Sequence, residues 1–276
     1  MPLVRVPAPY DFALSTERFR AFGPDLANLW HDGGLHRVVA GREVRIEGAD
    51  GGVAVEPHDA AVEPAVAKLL GLSFDLEAFS AFADGAPVLG RLVSALAGFR
   101  PPLAPDPFEA LVTSITAQQV SLRAAFAIRN RLIARYGEGG EHAYAFPARD
   151  RLAAASEPEL VALGLSRRKA EYVRGLARVD LDLHTLAALP DGDVKERLTA
   201  VRGLGEWTAD WFLARHLGRS EAWPAGDHGL RKAVSAFYAG GQPLSTEEVR
   251  AMGARFAPFQ NLAAHYLLTG HRVVGA

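Results

Sequence analysis

One aspartate stands where a carboxylate can do chemistry. Asp227 follows Trp223-Pro-Ala-Gly226 and sits just before the helical segment Leu230–Phe237. An aspartate there can cap the helix by accepting a first-turn N–H. It can equally present its carboxylate at the mouth of a cleft, and residue type alone leaves both open. Upstream, Arg202-Gly-Leu-Gly-Glu-Trp207 joins two further helical segments, Val194–Val201 and Trp207–Leu217. Two glycines at this spacing allow a tight reversal and expose backbone N–H groups where the second helix begins. Those groups, helped by the helix dipole, can hold a phosphate without a basic side chain. Leu204 would anchor the turn by packing inward. A plain helix–turn–helix connection also explains Gly-x-Gly, since glycine commonly ends helices. Trp207 and Trp211 lie four residues apart and so share a helix face.

Composition removes other chemistries. The chain has 276 residues and no cysteine, which excludes disulfides, thiolate nucleophiles, Cys-ligated zinc and iron–sulfur clusters. Its nine histidines are scattered without a ligand-like pair, so no catalytic transition metal is implied. The net charge of −2 argues mildly against a polyanionic partner. Its distribution softens that objection: residues 1–99 carry −5, residues 100–180 carry +3, and the remainder is neutral. A local basic face binds phosphate despite an acidic total; a solvated helical surface would have the same composition. No apolar run is long enough to span a bilayer, and the N-terminus lacks a secretory pattern. A cytoplasmic protein is expected.

The elements that must position Asp227 and the hairpin fall into two textures. Leu3–Val6, Leu35–Val39, Glu43–Ile46 and Val53–Val55 are short strand-like runs, with Asp50-Gly-Gly52 as a hairpin turn. Asp11–Phe22 reads as helical. From about residue 60 the spacing becomes helical: Glu63–Leu70, Leu76–Phe82, Val88–Ala97, Phe108–Thr116, Ser121–Tyr136, Asp150–Ala155, Glu157–Leu163, Arg167–Val179, Thr246–Phe256 and Leu262–Leu268. The proline-rich stretch Arg100–Pro107 separates them. Ser156 and Ser166 are expected N-caps.

These stretches resemble the helix-hairpin-helix DNA glycosylases, whose pattern is a Leu/Val-x-Gly-x-Gly hairpin followed by Pro-x-x-Asp. Within that superfamily the chain is most similar to the DNA-3-methyladenine glycosylase II group. The likeness runs through Pro9–Phe12, Asp106–Ser121, Phe146–Ala155 and Gly164–Ala170, and so spans nearly the whole chain. It implies an α+β, mostly α fold. An N-terminal antiparallel sheet domain (1–85) would precede two helical domains with a cleft between them. The central one (107–219) would carry the hairpin, and the second (86–106 with 220–276) would carry Asp227.

The resemblance implies a monofunctional enzyme that flips out and hydrolytically excises alkylated bases from double-stranded DNA in base excision repair. Asp227 would be catalytic, stabilising positive charge on the sugar. An alkylated purine departs as a neutral molecule, so one carboxylate suffices. Trp207, Trp211, Phe259 and Tyr266 would form an aromatic base pocket. Gly203, Gly205, Thr208 and Gln119 would contact DNA, with Gln119 at the place of the inserted wedge. Backbone carbonyls of Thr199, Val201 and Leu204 match a place where the family binds Na⁺ or K⁺; no other cofactor is required. Trp207 stands where strand-cutting relatives have a Schiff-base lysine, which an indole cannot replace. Pro258-Phe-Gln-Asn261 stands where relatives have Pro-Trp-Arg-Ser. A monomer associated with the nucleoid through DNA is expected. The competing readings are a glycosylase for uracil or oxidised bases, and a non-catalytic DNA-binding protein with Asp227 as a cap.

Overall fold

The computed structural model describes residues 2–275. The N-terminal unit is a five-stranded antiparallel sheet in the order β1-β5-β4-β3-β2. Its strands are β1 (Leu3–Arg5), β2 (Leu29–His31), β3 (Gly34–Val39), β4 (Arg42–Ala49) and β5 (Gly52–Glu56). Four of them fall on the β-branched runs. β2 does not, and it forms because Asp32 and Gly33 both take positive φ (45° and 74°), a two-residue turn that folds β3 back on it. One sheet face buries Leu35, Val44, Ile46, Val53 and Val55 beneath α2 (Glu63–Leu69), which contributes Val66 and Leu69.

The segment Asp11–Phe22 is less helical than its sequence suggests. Only α1 (Phe12–Ser15) and a 3-10 turn over Glu17–Phe19 form. Thr16 breaks the run: its backbone leaves helical geometry and its hydroxyl donates to the Phe12 carbonyl at 2.6 Å.

The helices build two further cores. α5 (Pro107–Ala117), α6 (Leu122–Tyr136), α7 (Arg149–Ala154), α8 (Glu157–Ala162), α9 (Arg167–Arg178), α10 (Asp191–Thr199) and α11 (Glu206–Phe212) enclose Leu111, Ile115, Leu132, Leu176 and Leu198. Ser156 caps α8 in a reciprocal box with Glu159, and Ser166 caps α9. The other core joins α3 (Leu76–Asp84) and α4 (Pro87–Ala95) to α12 (His228–Tyr238), α13 (Thr246–Gly253) and α14 (Gln260–Val273). Phe74, Phe79 and Ala83 are buried there beside Leu89 and Tyr266. The sheet core therefore ends near Leu70, and residues 74–84, assigned to the sheet domain on sequence grounds, belong to the second helical core.

A buried ionic network ties the sheet unit to the central helices. Arg129 of α6 bridges Asp25 and Glu109, and Arg37 of β3 reaches both Glu109 and Asn28. All five residues are at most 6% exposed. Burial opposes the ionised carboxylates of Asp25 and Glu109, but Arg129 and, for Glu109, Arg37 outweigh it and hold both below the usual carboxylate range.

Candidate active site

A cleft of about 1050 Å³ opens where the three units meet. Asp227 stands on its wall as the N-cap of α12. Its Oδ1 accepts the Leu230 N–H at 2.8 Å. Its Oδ2 accepts two indole N–H groups, from Trp207 at 3.0 Å and Trp211 at 3.1 Å. The two sequence readings of Asp227 therefore hold together: it caps a helix and it lines a cleft. Capping fixes the carboxylate, and the two tryptophans orient its second oxygen.

The tryptophans are placed by the hairpin between α10 and α11. Gly203 takes φ +95°, and a Cβ there would lie 2.2 Å from the Tyr172 ring. Only glycine fits this approach. Leu204 is buried at the turn. Lys195 pairs with Asp210 at 2.6 Å and staples α10 to α11. Gln118 donates to the Gly203 carbonyl at 2.9 Å, tying the α5–α6 loop to the hairpin. Gly205 is exposed, with nothing within 4 Å of its Cβ position. Of the first-turn amides of α11, those of Thr208 and Ala209 donate to the Gly205 carbonyl, which leaves those of Glu206 and Trp207 without a backbone acceptor.

Gln119 is exposed on the cleft rim with φ +54°, beside Val120 and Leu122, which are 40% and 48% exposed. Together these two give the rim an apolar edge.

Other expectations need correction. Thr208 is 1% exposed and its N–H donates to the Gly205 carbonyl, so neither group is free for a phosphate. Tyr266 and Phe259 do not line the cleft. Tyr266 is buried against Phe79 and Phe99 and donates to the Phe99 carbonyl at 2.8 Å. Phe259 packs on Phe79 and Phe82. Both rings serve the second helical core, which needs large apolar volume where α14 meets α3. Asn261 is likewise structural, donating to the Ala214 and Arg219 carbonyls. The departures at 259–261 therefore act on packing and not on the cleft wall.

Groups that the sequence reading missed also line the cleft. α11 continues as a π-helical turn, Leu213–Leu217. This turn carries Arg215, whose guanidinium carbon lies 3.6 Å from the Trp211 ring centroid. Burial lowers the proton affinity of Arg215, Arg18 adds to that, and Asp227 opposes it; a guanidinium starts high enough to stay charged. The spacing Trp207, Trp211, Arg215 was the available signal, three positions on one helix face. His265 of α14 is 5% exposed, and burial, with Arg215, Arg18 and Arg272 nearby, pushes it well below its usual value. It is a neutral imidazole at pH 7. Nothing in its sequence neighbourhood announced it. Lys232 of α12 is exposed on the same cleft. No helix among the described residues is long and apolar enough to cross a membrane.

Residues 112–258 match the model of the HhH-GPD superfamily base excision DNA repair protein. Over 213 residues the chain is 31% identical to DNA-3-methyladenine glycosylase 2 of Escherichia coli, covering 74% of this chain and 72% of that one. It is 27% identical over 204 residues to a DNA-3-methyladenine glycosylase of Bacillus subtilis, covering 71% and 67%. The 3-methyladenine DNA glycosylase from Archaeoglobus fulgidus superposes with a TM-score of 0.89 over the full length of both chains at 28% identity.

Proposed function

The chain belongs to the HhH-GPD superfamily of base excision DNA repair proteins, and on that premise we propose that it hydrolyses the N-glycosidic bond of alkylated bases in double-stranded DNA. The observation that carries this reading is the carboxylate of Asp227. It is held by a helix N-terminus and two indole N–H groups on the wall of a cleft large enough for a nucleotide. The relatives named for 3-methyladenine release support the choice of lesion.

On this reading the target nucleotide leaves the duplex and enters the cleft. Asp227 faces the sugar and stabilises the positive charge that grows as the base departs. Water then completes the hydrolysis. A cationic base needs no acid to leave, which suits a cleft whose nearby imidazole, His265, is neutral. Trp207 offers an aromatic face to the base. The face of Trp211 is already covered by Arg215, so the aromatic wall is narrower than four rings. Gln119, with Val120 beside it, fills the gap left in the duplex, while Gly203, Gly205 and the amides of Glu206 and Trp207 at the start of α11 hold phosphate.

The hairpin carbonyls suit an alkali ion in part. That of Val201 already accepts the Leu204 N–H at 3.0 Å, while those of Thr199 and Leu204 take no backbone hydrogen bond. These hard oxygen donors would hold Na⁺ or K⁺ against a phosphate. We place the protein on cellular DNA as a monomer.

The test is base release from a panel of duplexes carrying 3-methyladenine, hypoxanthine, uracil or 8-oxoguanine. Release of 3-methyladenine ahead of the neutral lesions, without strand cleavage, is expected. Preference for an oxidised base would overturn the alkylbase reading. Borohydride trapping of a covalent complex, for which Lys232 is the lysine lining the cleft, would overturn the monofunctional one.

A further inference from the structure

The exposed edge of the sheet gathers residues that are far apart in sequence. His36 on β3 and Glu43 on β4 are diagonal neighbours on one face, since His36 pairs with Arg45 and Val38 with Glu43. His31 on β2 lies opposite Gly34 and so shares that face. The loop after α6 lays His142 onto it. Its backbone N–H groups at His142 and Ala143 both donate to Glu43 Oε2, at 2.8 and 3.2 Å. The His142 ring stacks on His31 with centroids 4.4 Å apart and meets His36 edge-on at 4.7 Å.

Two observations make this more than a polar patch. His36, Glu43 and His142 each offer one ligand atom, and these atoms lie within 4.8 Å of one another. Moreover, His36 is 3% exposed, and its Nε2 has no hydrogen-bond partner. Its Nδ1 donates to Glu43 Oε1 at 2.7 Å, which leaves the lone pair on the orphaned Nε2. A carboxylate that fixes an imidazole in this way orients it for a metal.

We propose that His36, through Nε2, and His142 bind a divalent cation of the Zn²⁺ class, with Glu43 holding the His36 ring from its Nδ1 side and the His31 ring packed on His142. Neutral imidazoles are borderline donors, suited to Zn²⁺ and poorly to Mg²⁺, and water would complete the coordination. Ligands bound at about 2.0–2.2 Å lie no more than about 4 Å apart, so short side-chain rotations close the group. The site has a way in, because His31 is exposed and the His142 side chain is one-third exposed. The ion would cross-link the sheet to the loop of the central helical unit, and none of the cluster's residues lines the cleft. Its role is structural and independent of the glycosylase reading.

The test is calorimetric titration of the tag-free chain with ZnCl₂. Uptake of one equivalent is expected, with a Zn²⁺-dependent rise in melting temperature. His142→Ala should weaken that uptake at least tenfold and abolish the rise. The His142 ring makes no hydrogen bond, and the backbone donors to Glu43 remain, so the metal-free variant should melt as the wild type does; His142→Gln serves if it does not. His184→Ala, away from the cluster, should bind as the wild type does. Absence of a one-equivalent transition, unchanged affinity in both His142 variants, or equal displacement of Zn²⁺ by Mg²⁺ would each overturn the proposal.

Discussion

The indole N–H of Trp207 points at Oδ2 of Asp227 across 3.0 Å, while Oδ1 of the same carboxylate faces the first turn of α12. Hairpin and helix thereby fix one another through a single side chain. A hydrogen bond to a charged acceptor is worth about 1.5–3 kcal/mol. Trp207→Phe is thus expected to lower kcat/KM for alkylbase release about tenfold or more, with a melting temperature close to wild type. Unchanged kinetics would show that the indole N–H does not set the carboxylate's position in the reacting complex.

Asp227→Asn can keep the cap with its one amide oxygen accepting from Leu230, but its NH2 then faces the Trp207 and Trp211 N–H groups. It removes the negative charge. Single-turnover base release should fall by about 10²–10³, while binding to a duplex with an abasic analogue stays within a fewfold of wild type. If activity and binding fell together, Asp227 would be a structural residue only.

Arg215 keeps a fixed positive charge on the face of Trp211, where it competes with a cationic base. Such a contact is worth about 0.5–2 kcal/mol. In Arg215→Met, the ratio of kcat/KM for 3-methyladenine to that for hypoxanthine should rise by up to about tenfold. A fall in that ratio would mean that the guanidinium assists the cationic lesion.

The hairpin glycines should separate stability from binding. Gly203→Ala forces a methyl into the Tyr172 ring at positive φ and should lower both the melting temperature and duplex affinity. Gly205→Ala meets nothing within 4 Å, so its stability should stay within about 0.5 kcal/mol of wild type. A phosphate seated against the start of α11 would meet the added methyl, so duplex binding should weaken by about tenfold. Equal binding by Gly205→Ala and the wild type would place the phosphate elsewhere.

Acid should unfold the protein through its ionic network. Asp25 and Glu109 are held below their ordinary values, so their contribution is complete above the unfolded-state range near about pH 4. It disappears as pH falls through the lower folded-state values. Urea midpoints measured from pH 7 to pH 2 should drop steeply below about pH 4. Glu109→Gln should cost about 3–5 kcal/mol at pH 7 and flatten the acid limb. An unchanged acid limb in that variant would shift the effect to other carboxylates.

Local patterns were readable from the sequence where one chain segment sufficed. Helical spacing, the serine caps, the Gly-x-Gly hairpin and the pairing of Trp207 with Trp211 all depend on neighbours. Asp32-Gly33 carries a hairpin signal, but β2 lacks the β-branched residues that would mark it as a strand. Tyr266 and Phe259 were misplaced since aromaticity does not say which face of α14 points inward; that follows from α3, nearly two hundred residues earlier. The ionic network and the histidine cluster were invisible for the same reason. Asp25 meets Arg129, and Glu43 meets His142, only once sheet and helices have docked.

That docking also bears on how the enzyme would receive its substrate. Parting the sheet unit from α5 and α6 would break the buried Asp25–Arg129 and Arg37–Glu109 ion pairs, a penalty far beyond thermal fluctuation. The jaws of the cleft are consequently stiff at their base. Whatever bending is needed to seat a nucleotide must be done by the double helix. Lesions that already weaken stacking at their own step would therefore be the easiest to capture.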